Sequence, residues 1–183
     1  MPKDTVLERL YQIAEGQDGY FTTNQAAELE VDHKAINKAA CRGRVERTSR
    51  GVYRLLRFPI FSERTHLWEG VLWPQARENV ATALSHETAL TLYGLSDANP
   101  TRIHITVPRA FRLRRRIPTW LVVHRANLEE RERDYLDALP VTTVERTLRD
   151  IAQSASPAIL HDALLDAQRK GLPIPSQLKS PDD

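Results

Sequence analysis

Apolar residues recur at helical spacing over Val6, Leu7, Leu10, Ile13 and Ala14. They predict an amphipathic first helix, with Asp4 able to cap its start and Gly16 to end it. Phe21-Thr22-Thr23 leads into a short predicted helix over residues 24–29 with Thr22 or Thr23 as its cap, and a turn follows at Glu30-Val31-Asp32. Asp32 is placed to cap a third helix, His33 to about Arg42. Ala35, Ile36, Ala39 and Ala40 form its apolar side, and His33, Lys34, Asn37, Lys38 and Arg42 lie opposite. After Gly43 the period shortens to two: Val45 and Arg47, then Val52, Arg54 and Leu55, around Ser49-Arg50-Gly51, read as two strands joined by a tight turn. Helix, helix, turn, helix and hairpin in this order predict a winged helix-turn-helix.

The pattern then breaks at Arg57-Phe58-Pro59-Ile60-Phe61, because a residue before proline favours extended backbone. A helix is expected from about His66 to Leu72, stopped by Pro74. Another runs over Ala89–Tyr93, with Ser85 as cap and Gly94 as terminator. Ile103, Ile105 and Val107 alternate with His104 and Thr106 as a half-buried strand, and Trp120–His124 reads as a more buried one. Thr142-x-x-Glu145 has capping-box spacing before a helix through Ala152. A last helix runs from Pro157 to Gly171, and the Pro-rich end beyond it reads as frayed. The expected fold class is α+β: a winged helix-turn-helix over residues 1–58, followed by a mixed α/β domain with a small sheet over residues 59–183.

Composition excludes more than it selects. The 183 residues are 41% hydrophobic with a net charge of +2, which suits a soluble globular protein. One cysteine, Cys41, rules out an internal disulfide framework and a multi-cysteine zinc site. No apolar run approaches the roughly 20 residues that cross a bilayer, and Met1–Leu10 lacks the apolar core of a signal peptide, so the expected location is the cytoplasm, without a membrane partner. The distribution of charge is more telling. Residues 1–32 hold seven acids and two bases, whereas residues 33–57 hold eight bases and the single acid Glu46. The bases fall on the third helix and the hairpin, the two elements that a winged helix presents to phosphate. The candidate DNA-contacting residues are Thr23, Gln25, His33, Lys34, Asn37, Lys38, Arg42, Arg44, Arg47, Arg50 and Arg54. A second cluster, Arg109, Arg112, Arg114, Arg115 and Arg116, is either another nucleic-acid surface or a solvated strand edge that discourages pairing.

Catalytic motifs are missing. His86-Glu87-Thr88-Ala89-Leu90 starts like HExxH, but Leu90 stands where the second zinc-binding histidine is required. The seven glycines are scattered singly, with no Walker-A or dinucleotide spacing, and no Asp-x-Asp pair follows Gly94-Leu95-Ser96. His104, His124 and His161 have no sequence-local acid or nucleophile. No catalytic residue, metal or cofactor is expected.

The run from Gly19 to Pro59, GYFTTNQAAELEVDHKAINKAACRGRVERTSRGVYRLLRFP, resembles the N-terminal winged-helix domain of AbiEi-type antitoxins of bacterial type IV toxin–antitoxin (abortive infection) systems. ALSHETALTLYGLSD, IHITVP and LPVTTVERTLRDIA resemble the domain that follows it in that family. The resemblance implies an autorepressor that binds operator DNA upstream of its own gene. It also implies an antitoxin counteracting a nucleotidyltransferase-like toxin without a stable complex. By position, Lys34, Asn37, Lys38 and Arg42 become recognition-helix residues and Arg44, Arg47, Arg50 and Arg54 wing residues. Arg109–Arg116 becomes a candidate antitoxin surface. Similar segments also precede endonuclease-like domains, as does the ending ALLDAQRKGLPIPSQL. The alternative expectation is therefore a stand-alone DNA-binding regulator or a protein-interaction module.

Overall fold

The first helix, α1 (Val6–Ala14), is capped by Thr5, whose hydroxyl accepts from the Glu8 amide while the Glu8 carboxylate reaches back to the Thr5 amide. The computed structural model describes residues 5–60, 62–76, 78–95, 100–112 and 114–178, so the expected cap Asp4 and the tail beyond Leu178 lie outside the described residues. Gly16 does not end α1 alone; a single 3-10 turn, Glu15–Gln17, intervenes. Next come β1 (Tyr20–Thr22) and α2 (Thr23–Glu28), with Thr22 as cap in a second capping box through Gln25. Then α3 (His33–Cys41) starts from Asp32, whose carboxylate accepts from the Ala35 amide at 2.7 Å. The hairpin of β2 (Val45–Ser49) and β3 (Val52–Leu55) closes the winged helix.

Its sheet has the order β1-β3-β2 and is antiparallel throughout, with an irregularity in β2 between Arg47 and Ser49. The sequence pattern does not predict β1, because three residues carry no period. Leu10, Phe21, Ile36, Tyr53 and Leu55 are all 2% exposed or less and form one core, in which Phe21 stacks on Tyr53 at 5.7 Å. Burying Ile36 ties α3 to the sheet and contributes roughly 2 kcal/mol.

The expected division after residue 58 falls inside the first compact unit, which extends through Thr82. The reason is α4 (Leu67–Gln75), whose apolar side chains are almost all buried. It follows a 3-10 turn over Glu63–His66, and Pro74 sits within its last turn, where little helix remains for it to break. Just past it, the Ala76 carbonyl accepts from the Thr23 hydroxyl at 2.9 Å. The wing turn also closes against Ala76: Gly51 has φ +84°, and a Cβ there would stand 2.8 Å from the Ala76 methyl.

The second unit, Ala83–Asp183, is built on a five-stranded sheet. Its elements are β4 (Ala83–Leu84), α5 (His86–Tyr93), β5 (Ile103–Val107), β6 (Leu121–Arg125), β7 (Arg133–Leu136), β8 (Leu139–Thr142), α6 (Val144–Ser154) and α7 (Pro157–Arg169). The strand order is β6-β5-β4-β8-β7. Strands β4 and β8 are parallel neighbours, so α5 and α6 both begin at the same end of the sheet. Leu90, Leu148, Ile151, Ala163 and Ala167 join these two helices and α7 in one apolar core. Thr143, not Thr142, caps α6, its hydroxyl accepting from the Arg146 amide. Thr142 is fully buried and bonds instead to the Thr147 hydroxyl at 2.8 Å.

The β7–β8 hairpin carries no clear signal in the sequence, because its turn is Asp137-Ala138 rather than Asn-Gly. Both residues nonetheless have positive φ, 49° and 66°, the signature of a type I′ turn. Ala138→Gly is therefore expected to raise stability by about 0.5–1 kcal/mol, and a urea titration with no gain would refute the strain assigned to this turn.

Candidate nucleic-acid interface and a buried histidine stack

On α3 the exposed residues His33, Lys34, Asn37 and Lys38 occupy one side, because Ile36 and Ala39 hold the other in the core. Asn37 bonds to His33 across one helical turn, Nδ2 to Nδ1, at 3.0 Å. Arg42, the C-cap of α3, is exposed, as are Arg44 before β2, Arg47 on β2 and Arg50 in the wing turn. The backbone thus brings most of the expected DNA-contacting residues to the surface on two elements: His33, Lys34, Asn37, Lys38 and Arg42 on or at the end of α3, and Arg44, Arg47 and Arg50 on the wing.

Three candidates do not share this exposure. Arg54 is only 8% exposed: its Nη2 donates to the Phe58 carbonyl at 3.1 Å and its guanidinium lies 5.8 Å from the Tyr20 ring centre. The register of the sheet places residue 54 between Glu46 of β2 and Tyr20 of β1, so its side chain packs within the unit. Thr23 donates to Ala76, and Gln25 is held by the Thr22 amide and Gln17. Their polar atoms are already engaged within the unit.

In the second unit, the segment between β5 and β6 carries Arg109, Arg112, Arg114 and Arg116 exposed and Arg115 half-buried. The Arg109 amide donates to Asn127 Oδ1 at 3.0 Å, and the Phe111 amide to the Pro108 carbonyl at 2.9 Å. These bonds give the start of the segment a fixed turn.

Nothing in the sequence says that His86, His104 and His124 meet. His104 on β5 and His124 on β6 share a face, since Thr106 pairs with His124 in a parallel register. The His124 and His104 rings bond through Nε2 and Nδ1 at 3.2 Å, and His86 at the start of α5 stacks on His124 with ring centres 3.4 Å apart. Only the strand alternation through His104 hints at this; the partner strand and register are tertiary facts.

Burial, reinforced by the neighbouring imidazoles and Arg146, lowers His86 to about 3. Burial and His104 lower His124 to about 4. His104 is lowered by burial too, against the opposing pull of Glu87, 3.8 Å from its Nε2. The stack is therefore neutral at pH 7.

The Thr106 hydroxyl donates to Ser85 Oγ at 2.8 Å, and Ser85 Oγ lies 3.0 Å from His86 Nδ1. Asp150 Oδ2 stands 4.0 Å from that same nitrogen. A serine–histidine–aspartate relay needs the two partners on opposite ring nitrogens, so this trio is not one, and Ser85 is fully buried. Among the described residues no cluster of histidine, cysteine or acid side chains has the arrangement of a metal site.

Beside the stack, Arg146 joins two buried carboxylates: its Nη1 is 2.9 Å from Glu132 Oε2 and its Nε 2.9 Å from Asp150 Oδ1. Burial opposes ionisation of both acids, yet they shift in opposite directions. Glu132 is held below the usual range because the Glu129 amide, Arg146 and Arg149 together outweigh burial. Asp150 is raised because burial, helped by the like charge of Glu132, outweighs the Arg146 hydrogen bond and charge and the more distant Arg149; its Oδ2 has no hydrogen-bond partner.

No curated protein matches the chain. The chain is similar to the crystal structure of the RV2827C protein from Mycobacterium tuberculosis, at 20% identity and a TM-score of 0.56. That match covers 88% of this chain and spans 66% of the other's length, and it establishes the fold. Among the described residues no helix is long and apolar enough to cross a membrane. Two family models match in series: residues 8–56 match the transcriptional regulator, AbiEi antitoxin, and residues 80–170 match the AbiEi antitoxin C-terminal domain. With a winged helix under the first match and an α/β sheet domain under the second, the chain belongs to the two-domain AbiEi-type antitoxins.

Proposed function

We propose that the protein represses its own operon by binding operator DNA through α3 and the wing, and that its second unit counteracts a nucleotidyltransferase-like toxin without a stable complex. The observation that carries the DNA reading is the exposure of Lys34, Asn37, Lys38 and Arg42 on α3 together with Arg44, Arg47 and Arg50 on the wing, with Glu46 the one acid between residues 33 and 57. In a winged helix these elements meet the major groove and the adjoining backbone. Asn37 and Arg42 are suited to base edges, and the remaining bases to phosphates. The antitoxin role rests on the family match of the second domain, and Arg109, Arg112, Arg114, Arg115 and Arg116, of which all but Arg115 are exposed, are its candidate surface.

Titrating the protein with the DNA upstream of its gene, beside a scrambled duplex at two salt concentrations, tests the first part. Preference for the upstream duplex that survives higher salt is expected; equal, salt-sensitive affinity for both would overturn operator recognition. Lys38→Ala combined with Arg47→Ala is expected to flatten the log–log salt slope by about 1.8, at about 0.9 for each phosphate that is no longer neutralised. Arg54→Ala serves as the contrast. Its side chain is buried, so the change is expected to lower the melting temperature and leave the slope unaltered.

A further inference from the structure

Between α1 and α3 lies an open groove of about 350 Å³. It exists because α3 turns two alanines, Ala35 and Ala39, one helical turn apart, toward Val6 and Leu7 of α1, and methyl groups do not fill the space between the helices. Val6 is left 39% exposed. One rim is different in kind: Lys38 and Arg42, also one turn apart on α3, and Arg44 just beyond it, all line the same groove and are exposed. Among the described residues no carboxylate pairs with any of the three. Glu8 of α1 is turned onto the Thr5 amide as part of the helix cap.

We propose that this groove binds a small amphipathic anion, an apolar body ending in a carboxylate or comparable headgroup, and that such a ligand releases DNA. The volume is that of a small-molecule site, and its apolar floor favours a hydrocarbon or aromatic body. A purely apolar occupant would face three cations that no described carboxylate pairs, whereas an anionic end pairs with them, so charge complementarity selects the acid. The release of DNA rests on the reading of α3 as the recognition helix, because Lys38, Arg42 and Arg44 belong to both sites. Affinity for one ligand must then fall in the presence of the other by a single common factor.

The full chain, without DNA, is titrated calorimetrically with octanoate, octanol and acetate. Saturable binding of one octanoate is expected, with octanol and acetate at least tenfold weaker. Equal responses to all three would overturn the site. Ala35→Leu fills the groove without adding charge and is expected to abolish octanoate binding. Val6→Glu, at an exposed position that tolerates a polar side chain, is expected to weaken it at least tenfold. Unchanged binding in both variants would also overturn the site. With a labelled upstream duplex present, octanoate is expected to raise the apparent Kd at least tenfold, while acetate at the same ionic strength does not. Binding of octanoate to the free protein without displacement of the duplex would refute the shared-cation mechanism. A chain that binds octanoate and no duplex at all would refute the DNA reading and leave the anion site standing.

Discussion

Arg146→Ala is expected to destabilise the second unit by about 3–5 kcal/mol, the usual penalty when one partner of a buried ion pair is removed. Arg146 is the only side chain that touches both Glu132 and Asp150 among the described residues, and both acids are nine-tenths buried. With it gone, Glu132 keeps the Glu129 amide and Arg149, while Asp150 keeps no paired cation among the described residues. Most of the penalty therefore falls on Asp150, already raised by burial and carrying an unpartnered Oδ2. Adding Asp150→Asn to the alanine variant is expected to return at least half of the lost stability, since it removes the uncompensated charge. Urea titrations read by amide exchange in α6 measure both variants. A loss under about 1 kcal/mol for Arg146→Ala, or no recovery in the double variant, would show that water reaches these carboxylates.

The second large effect is a loss of stability in mild acid, driven by the histidine stack. Unfolded, each histidine titrates near 6.5; folded, His86 is lowered to about 3 and His124 to about 4. Between those limits the unfolded chain binds more protons. The stabilisation from the neutral stack is thus complete above about pH 6.5 and is lost as pH falls toward 4. The loss runs at about 1.4 kcal/mol per pH unit for each histidine, on the order of 5 kcal/mol by pH 4.5 for the pair. Asp150, raised by burial, works against this loss, because there the folded chain binds the proton more readily than the unfolded one, whereas Glu132 and His104, both lowered, add to it. His124→Phe keeps an aromatic ring against His86 and removes one titrating group. Melting temperatures from pH 7.5 to 4.5 should fall less steeply in this variant, by about one proton in the linkage slope. Parallel profiles for the two proteins would mean that other groups govern acid unfolding.

The winged helix is legible in the chain because each of its devices is local. Asp32 announces the start of α3 three residues before the amide it caps, and Ile36 and Ala39 reveal the buried face by their spacing. The basic residues of that helix are exposed for the same reason that Ile36 is buried. Arg54 shows the limit of such reasoning. Alternation in a hairpin says that residue 54 faces away from its neighbours in sequence, but not that β1 arrives on its other edge and leaves it 8% exposed beside Tyr20. The same holds for Thr23, whose partner Ala76 lies 53 residues on.

The order and type of the main helices, the switch from acid to base at His33, and the helix–hairpin signature that points to DNA are thus properties of the chain read alone. They depend on propensity, capping and period, which act within a few residues. Three outcomes had to wait for the folded molecule: the first unit runs to Thr82, five strands form the second sheet, and three histidines from α5, β5 and β6 share one neutral stack beside Arg146. Each of these depends on which elements pack together and which strands pair in what register. Register is set by long-range burial, and a slip of a single residue in β6 would have turned His124 to the opposite face.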